Sequence, residues 1–182
     1  HAMGPGRGYI RQGGICNAVY PPILNCDILK AAHKKRKNTQ QIVALITDIG
    51  NDIMYGVSAE EIIGGLKSLF SDLSELEANI FITSIPIDLK KDVGEFYFRI
   101  LRQVFFRNSS VEYHQASEAV QVVNKFILQS LKKNIIAING MKQFCGISKI
   151  HYSLFKSRSA WSHIAGNLTD TLNVNAPPKL NV

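Results

Sequence analysis

Strand-length apolar runs alternating with amphipathic helices predict a three-layer α/β/α fold around a mostly parallel sheet. Residues 42–47, 79–85 and 134–138 form the runs, each dominated by Ile, Val, Ala, Leu or Phe rather than alternating with polar residues. Such runs suit strands covered by helices on both faces, as a parallel sheet requires. Between them, apolar residues recur at three- and four-residue spacing, the pattern of a helix with one buried face. The 182 residues, 46% hydrophobic and 19% charged, make one domain with a core of useful size, which excludes a disordered or low-complexity chain.

Each element follows in chain order. Residues 4–22, rich in Gly and Pro, read as loop with at most a short extended piece at 9–12. Residues 23–35 read as a helix with Leu24, Ile28, Leu29 and Ala32 near one face. After the 42–47 strand, 48–57 reads as loop. Ser58 then caps a helix, with Glu61 three residues on completing a capping box, and Ile62, Ile63, Leu66, Leu69, Phe70 and Leu73 as its apolar stripe. The strand at 79–85 stops at Pro86. Residues 93–106 read as a helix with Phe96, Ile100, Leu101 and Val104 inward, and 111–113 as a short strand. The next helix, 117–132, places Val120, Val123, Ile127 and Leu131 in phase. The third strand, 134–138, is followed by loop over 141–152 and a last helix over 157–172. The domain is therefore 1–172, with 173–182 a fraying tail around Pro177 and Pro178.

Charge and cysteine usage narrow the function classes. The net charge is +7, and Lys34, Lys35, Arg36 and Lys37 supply four of the positive charges. No aromatic residue is interleaved there, so the run reads as a solvated helix end that complements the helix dipole. A phosphate-binding patch is the alternative. No apolar run reaches the ~20 residues of a membrane span, and the start lacks the basic and apolar regions of a secretory leader. The expectation is a soluble chain with a cytoplasmic address. Cys16, Cys26 and Cys145 form no CxxC pair and read as free thiols packed like small apolar groups. Asp52, Glu60 and Glu61 lack His or Cys partners at ligand spacing, so neither a metal nor an organic cofactor is implied.

In open α/β sheets, ligands bind outside the carboxyl ends of the strands. Three segments lie there: 48–52, 84–88 and the loop from 139 to His151, with the Gly-rich opening segment as a candidate for the same rim. Asn51 directly follows a buried strand, where its amide can aim an N–H at a developing oxyanion; an Asx-turn is the alternative. His151 is a candidate general base near neutral pH, or else a surface or core-satisfied histidine. Asp52 reads as structural, capping a turn or bracing the Gly-rich loop.

These residues carry a resemblance. Ala44-Leu45-Ile46-Thr47-Asp48-Ile49-Gly50-Asn51-Asp52 resembles the third conserved block of the SGNH (GDSL-like) hydrolases, a Gly-x-Asn-Asp turn after a buried strand. Here Gly50 directly precedes the Asn, and Ile49 holds the usual Gly position. Gly4-Pro5-Gly6-Arg7-Gly8-Tyr9 is similar to the second block, and Ser148-Lys149-Ile150-His151 resembles the last, Asp-x-x-His, with Trp161 and Ile164 placed as in that family. The resemblance spans most of the chain in order. It implies a flavodoxin-like topology and a Ser that attacks an ester carbonyl while His takes its proton. Carried over by position, Asn51 is the side-chain oxyanion donor, Gly4 or Gly6 the backbone donor, and His151 the base. Ser148 holds the place of the Asp that orients the His; a Ser accepts the His N–H but adds no charge.

The family nucleophile belongs to a Gly-Asp-Ser turn ahead of the Gly block. The first serine here is Ser58, so the expectation is that the first strand and nucleophile turn are missing from this chain. Three readings follow. The first is an acyl or acetyl ester hydrolase acting on a small-molecule or carbohydrate ester. The second is a catalytically inactive relative that binds a ligand or serves as a structural subunit. The third, resting on charge alone, is a basic phosphate-associated module, with nucleic acid the least expected partner.

Overall fold

A computed structural model describes residues 6–14, 19–36, 41–146 and 152–172. Three strands, β1 (Val43–Ile46), β2 (Asn79–Thr83) and β3 (Ile135–Ile138), form an all-parallel sheet in the order β1-β2-β3. In register, Ala44 lies beside Ile80 and Ile80 beside Ile135. Six helices accompany them among the described residues: α1 (Ile28–Lys35), α2 (Gly50–Met54), α3 (Ala59–Glu75), α4 (Glu95–Phe105), α5 (Tyr113–Gln129) and α6 (Ser157–Leu172).

Alternation along the strands divides the core. Ile46, Ile80, Ile82 and Ile135 pack with Ile62 and Leu66 of α3 and Val123 and Ile127 of α5. Phe81 and Ile138 point the other way, into a smaller cluster with Ala160 and Ile164 of α6. Successive strand side chains face opposite sides of a sheet, so Ile80 and Phe81, both fully buried, serve different layers. The strand order advances in one direction, which sends both crossovers over one face. Only after β3 does the chain change sides, with α6. The result is the expected α/β/α architecture.

The Ser58 capping box forms as read, with Glu61 N donating to Ser58 Oγ and Ser58 N to Glu61 Oε2, both at 3.2 Å. The last helix also keeps its read bounds. Several elements differ. Residues 23–35 are not one helix: a 3₁₀ turn at Ile23–Asn25 precedes α1. The 48–57 loop contains α2, whose single turn buries Ile53 and Met54 and is too short to show a period. Residues 111–113 are not a strand; Val111 meets no strand partner and Tyr113 already opens α5. That helix ends at Gln129, leaving Leu131 37% exposed. Helix α4 begins at Glu95, after a π-type turn at Leu89–Val93 and Gly94 at φ 72°.

The buried stripe of α4 is also rotated. Phe98 and Leu101 are buried, whereas Phe96 is 80% and Val104 57% exposed. Phe96, Ile100 and Val104 share helical spacing with each other, and so do Phe98, Leu101 and Phe105, so periodicity alone cannot choose between stripes. Packing chooses: Phe98 meets Tyr113 of α5 edge to face, 5.7 Å between centroids. The basic run ends α1 as expected, through residue 36. Arg36 donates to the Glu75 carbonyl and pairs with Glu77, at the amino end of β2. The 173–182 tail lies outside the described residues.

Candidate functional site

The site begins with a clasp between two segments far apart in sequence. Asp52, on α2, is fully buried. Its Oδ2 accepts the Tyr9 N–H at 2.6 Å, and its Oδ1 accepts those of Ile10 and Arg11 at 3.1 and 3.0 Å. Burial pushes this carboxyl's pKa up, and the three amides and the Arg11 charge pull it back. Gly8 is required by the close approach: a Cβ there would lie 2.5 Å from Asp52 Oδ1 and 2.6 Å from the Arg11 carbonyl oxygen. Tyr9 adds a second tie, its hydroxyl donating to the Thr47 carbonyl at 2.8 Å and accepting from Thr47 N at 3.2 Å. Tyr55 donates to the Gly6 carbonyl at 2.6 Å. The Gly-rich segment is thereby fixed at the carboxyl end of β1, and Asp52 braces it, the structural role read from sequence.

Asn51 stands next to this clasp and is 9% exposed. Its Nδ2 donates to the Arg7 carbonyl at 3.1 Å. A carboxamide carries two N–H groups, and the Arg7 carbonyl takes one of them; Asn51 also helps to line a pocket. That pocket lies beyond the carboxyl ends of β1 and β2 between Asp48, Asn51, Ser84, Ile85 and Tyr152. Asn124 of α5 holds its far wall, accepting from Ile85 N at 2.8 Å and donating to the Ile85 carbonyl at 3.0 Å. Asp48 turns the chain out of β1 in the left-handed region, φ 59°, which Asp tolerates better than most residues.

A second pocket adjoins the first through Asp48 and Tyr152, and reaches Ser157 and Trp161 of α6. The Tyr152 hydroxyl is pushed well above the usual phenol range, first by burial and then by the Asp48 charge, against a hydrogen bond to the Thr83 side chain. Burial likewise raises the Cys145 thiol, with Asp92 adding to it. Cys145 and Cys26 are free thiols.

Of the residues read as catalytic, Asn51 and Gly6 are described, and the fold brings their segments together. Gly4, Ser148 and His151 lie outside the described residues, as does Cys16. Tyr152, the chain neighbour of His151, lines both pockets. Ile164 is buried, whereas Trp161 is 55% exposed at the second pocket. Sequence reasoning passed over Tyr9, Tyr152 and Asn124. No local pattern marks them, because each acts on a segment about 39 residues or more away, or on one that only the sheet brings near. Among the described residues no helix is long and apolar enough to cross a membrane. No family model matches the chain, and neither a curated protein nor a solved structure gives a significant match.

Proposed function

We propose that the pocket beyond β1 and β2 hydrolyses an acyl or acetyl ester in the manner of the SGNH-like enzymes. One observation carries the reading: the Gly-rich segment, the Asn51 amide and the pocket converge, although Arg7 and Asn51 are 44 residues apart. Asn51 supplies an oriented N–H for a tetrahedral oxyanion, and an N–H of the Gly-rich segment, from Gly4 or Gly6, is the second donor. Such donors act through preorganisation: Arg7 holds the Asn51 amide before any substrate arrives. His151 is the base, supported by Tyr152 beside it lining the same pocket as Asn51. Ser148 accepts the imidazole N–H. This sequence contains no Gly-Asp-Ser triplet, and none of its residues is assigned as the nucleophile.

That last fact also favours a second reading, in which the pocket binds its ligand without turning it over. Nitrophenyl-acetate hydrolysis by the full-length protein decides between them. Removing one oxyanion donor by Asn51→Ala is expected to lower kcat by about 10²–10³. His151→Ala is expected to abolish turnover above background. Equal rates in wild type and both variants would overturn the hydrolase reading. Arg36 of the basic run is engaged by Glu75 and Glu77, at the opposite end of the sheet from the pocket.

A further inference from the structure

The two pockets share one charged side chain. Lys and Arg exceed Asp and Glu by 21 to 14 in this sequence, yet no described lysine or arginine lines either pocket. Asp48 is the one carboxylate in both. Its Oδ2 accepts from Thr47 Oγ1 at 3.0 Å, and it forms no ion pair among the described residues. In the second pocket it shares the lining with two aromatic residues, Tyr152 and Trp161. Trp161 stays 55% exposed there although Ala160 and Ile164, on the same helix, are buried.

A carboxylate that shares a pocket with an indole and a phenol, with no lysine or arginine among the described lining residues, is a donor set for an organic cation. The carboxylate supplies charge, and the ring faces add cation–π attraction to a weakly hydrated ammonium. Inorganic cations keep their water and gain less from the rings, while an anion meets Asp48 with no counter-charge. We propose that the second pocket binds the quaternary or alkyl-ammonium group of a ligand whose remainder extends into the first pocket. Asp48 and Tyr152, common to both, form the passage between them. The inference rests on the ester-hydrolase reading only for what the ammonium is attached to, an amino- or choline-type ester.

Trp161 is the sole tryptophan of the chain, so its fluorescence reports on this pocket directly. The 182-residue chain is titrated with choline and with the uncharged carbon isostere of choline, dimethylbutanol. Choline is expected to bind with a Kd lower by about tenfold or more, the scale of a partly desolvated cation–π contact plus a facing charge. Asp48→Asn is expected to remove that preference, and it is a safe variant because Asn adopts the left-handed conformation readily. Equal affinity for the two probes, no response to choline, or a preference that survives Asp48→Asn overturns the proposal. So does a methyl glucoside that binds as well as choline in both proteins, which would make Trp161 a sugar platform. A choline preference without any ester turnover leaves the cation site standing and removes the hydrolase reading. Asn51-dependent turnover without a choline preference does the reverse.

Discussion

Asp52→Ala removes the acceptor on which the Gly-rich segment is hung. Three backbone amides lose their partner: Tyr9, at 2.6 Å from Oδ2, and Ile10 and Arg11, at 3.1 and 3.0 Å from Oδ1. The Tyr9 amide is buried, so leaving it unpaired costs about 1–3 kcal/mol. The Ile10 and Arg11 amides are half-buried and regain water, so together they add about 1 kcal/mol, the net value of an ordinary hydrogen bond. A loss of about 3 kcal/mol is expected, a large share of the ~5–15 kcal/mol of a typical domain. Asp52→Asn keeps one oxygen but turns an N–H₂ toward either Tyr9 N or the Ile10 and Arg11 pair, and falls between. Urea denaturation measures the total. Amide hydrogen exchange locates it: Tyr9, Ile10 and Arg11 are expected to lose protection even where Phe81 in β2 keeps its own. A loss below about 1 kcal/mol with unchanged protection at residues 9–11 would refute the view that this carboxylate holds the segment.

Three further outcomes follow from the same geometry. Gly8→Ala pushes a Cβ against Asp52 Oδ1 and the Arg11 carbonyl oxygen; the backbone atom cannot swing away, so a loss of about 1–3 kcal/mol in thermal or urea unfolding is expected. Ser117, buried in α5, has a hydroxyl with no described partner. Ser117→Ala is therefore expected to raise the melting temperature, through better helix propensity and one fewer unpaired buried group. Burial and Asp48 push the Tyr9 hydroxyl far above the ordinary phenol value of about 10. A raised folded-state value means stability that is complete below the unfolded value and drains away above it. The wild type is expected to lose stability steeply above about pH 10, and Tyr9→Phe to lose less per pH unit; parallel slopes in urea midpoints would count against it.

How much was legible in the sequence varies element by element. The strands at 42–47, 79–85 and 134–138 and the helix at 157–172 were visible because burial on both faces, or on one, writes itself into consecutive residues. The Ser58 cap was visible because a capping box closes over four residues. The orientation of α4 was not, because two apolar stripes compete and only Phe98 against Tyr113 breaks the tie. Helix α2 escaped because one turn has no period.

The candidate site divides along the same line. Asn51 and Asp52 stood out from sequence because a polar pair directly after a buried strand lies at the rim where open sheets bind ligands. The residues that build the site around them did not: Tyr9 and Arg7, their partners, and Asn124 and Tyr152 on the pocket walls matter through contacts that no local spacing records. Local and near-local order, namely the alternating elements, their caps and the rim position of 48–52, is determined by the chain read alone, since burial and hydrogen bonding there act over a few residues. Which helix face turns inward, which carboxylate clasps the Gly-rich segment, and that Asp48 lines one pocket with Trp161 and Tyr152 were decided by tertiary structure. Those outcomes depend on the parallel sheet bringing residues about 40 to 110 positions apart to one edge, and on which polar groups lose water when it does.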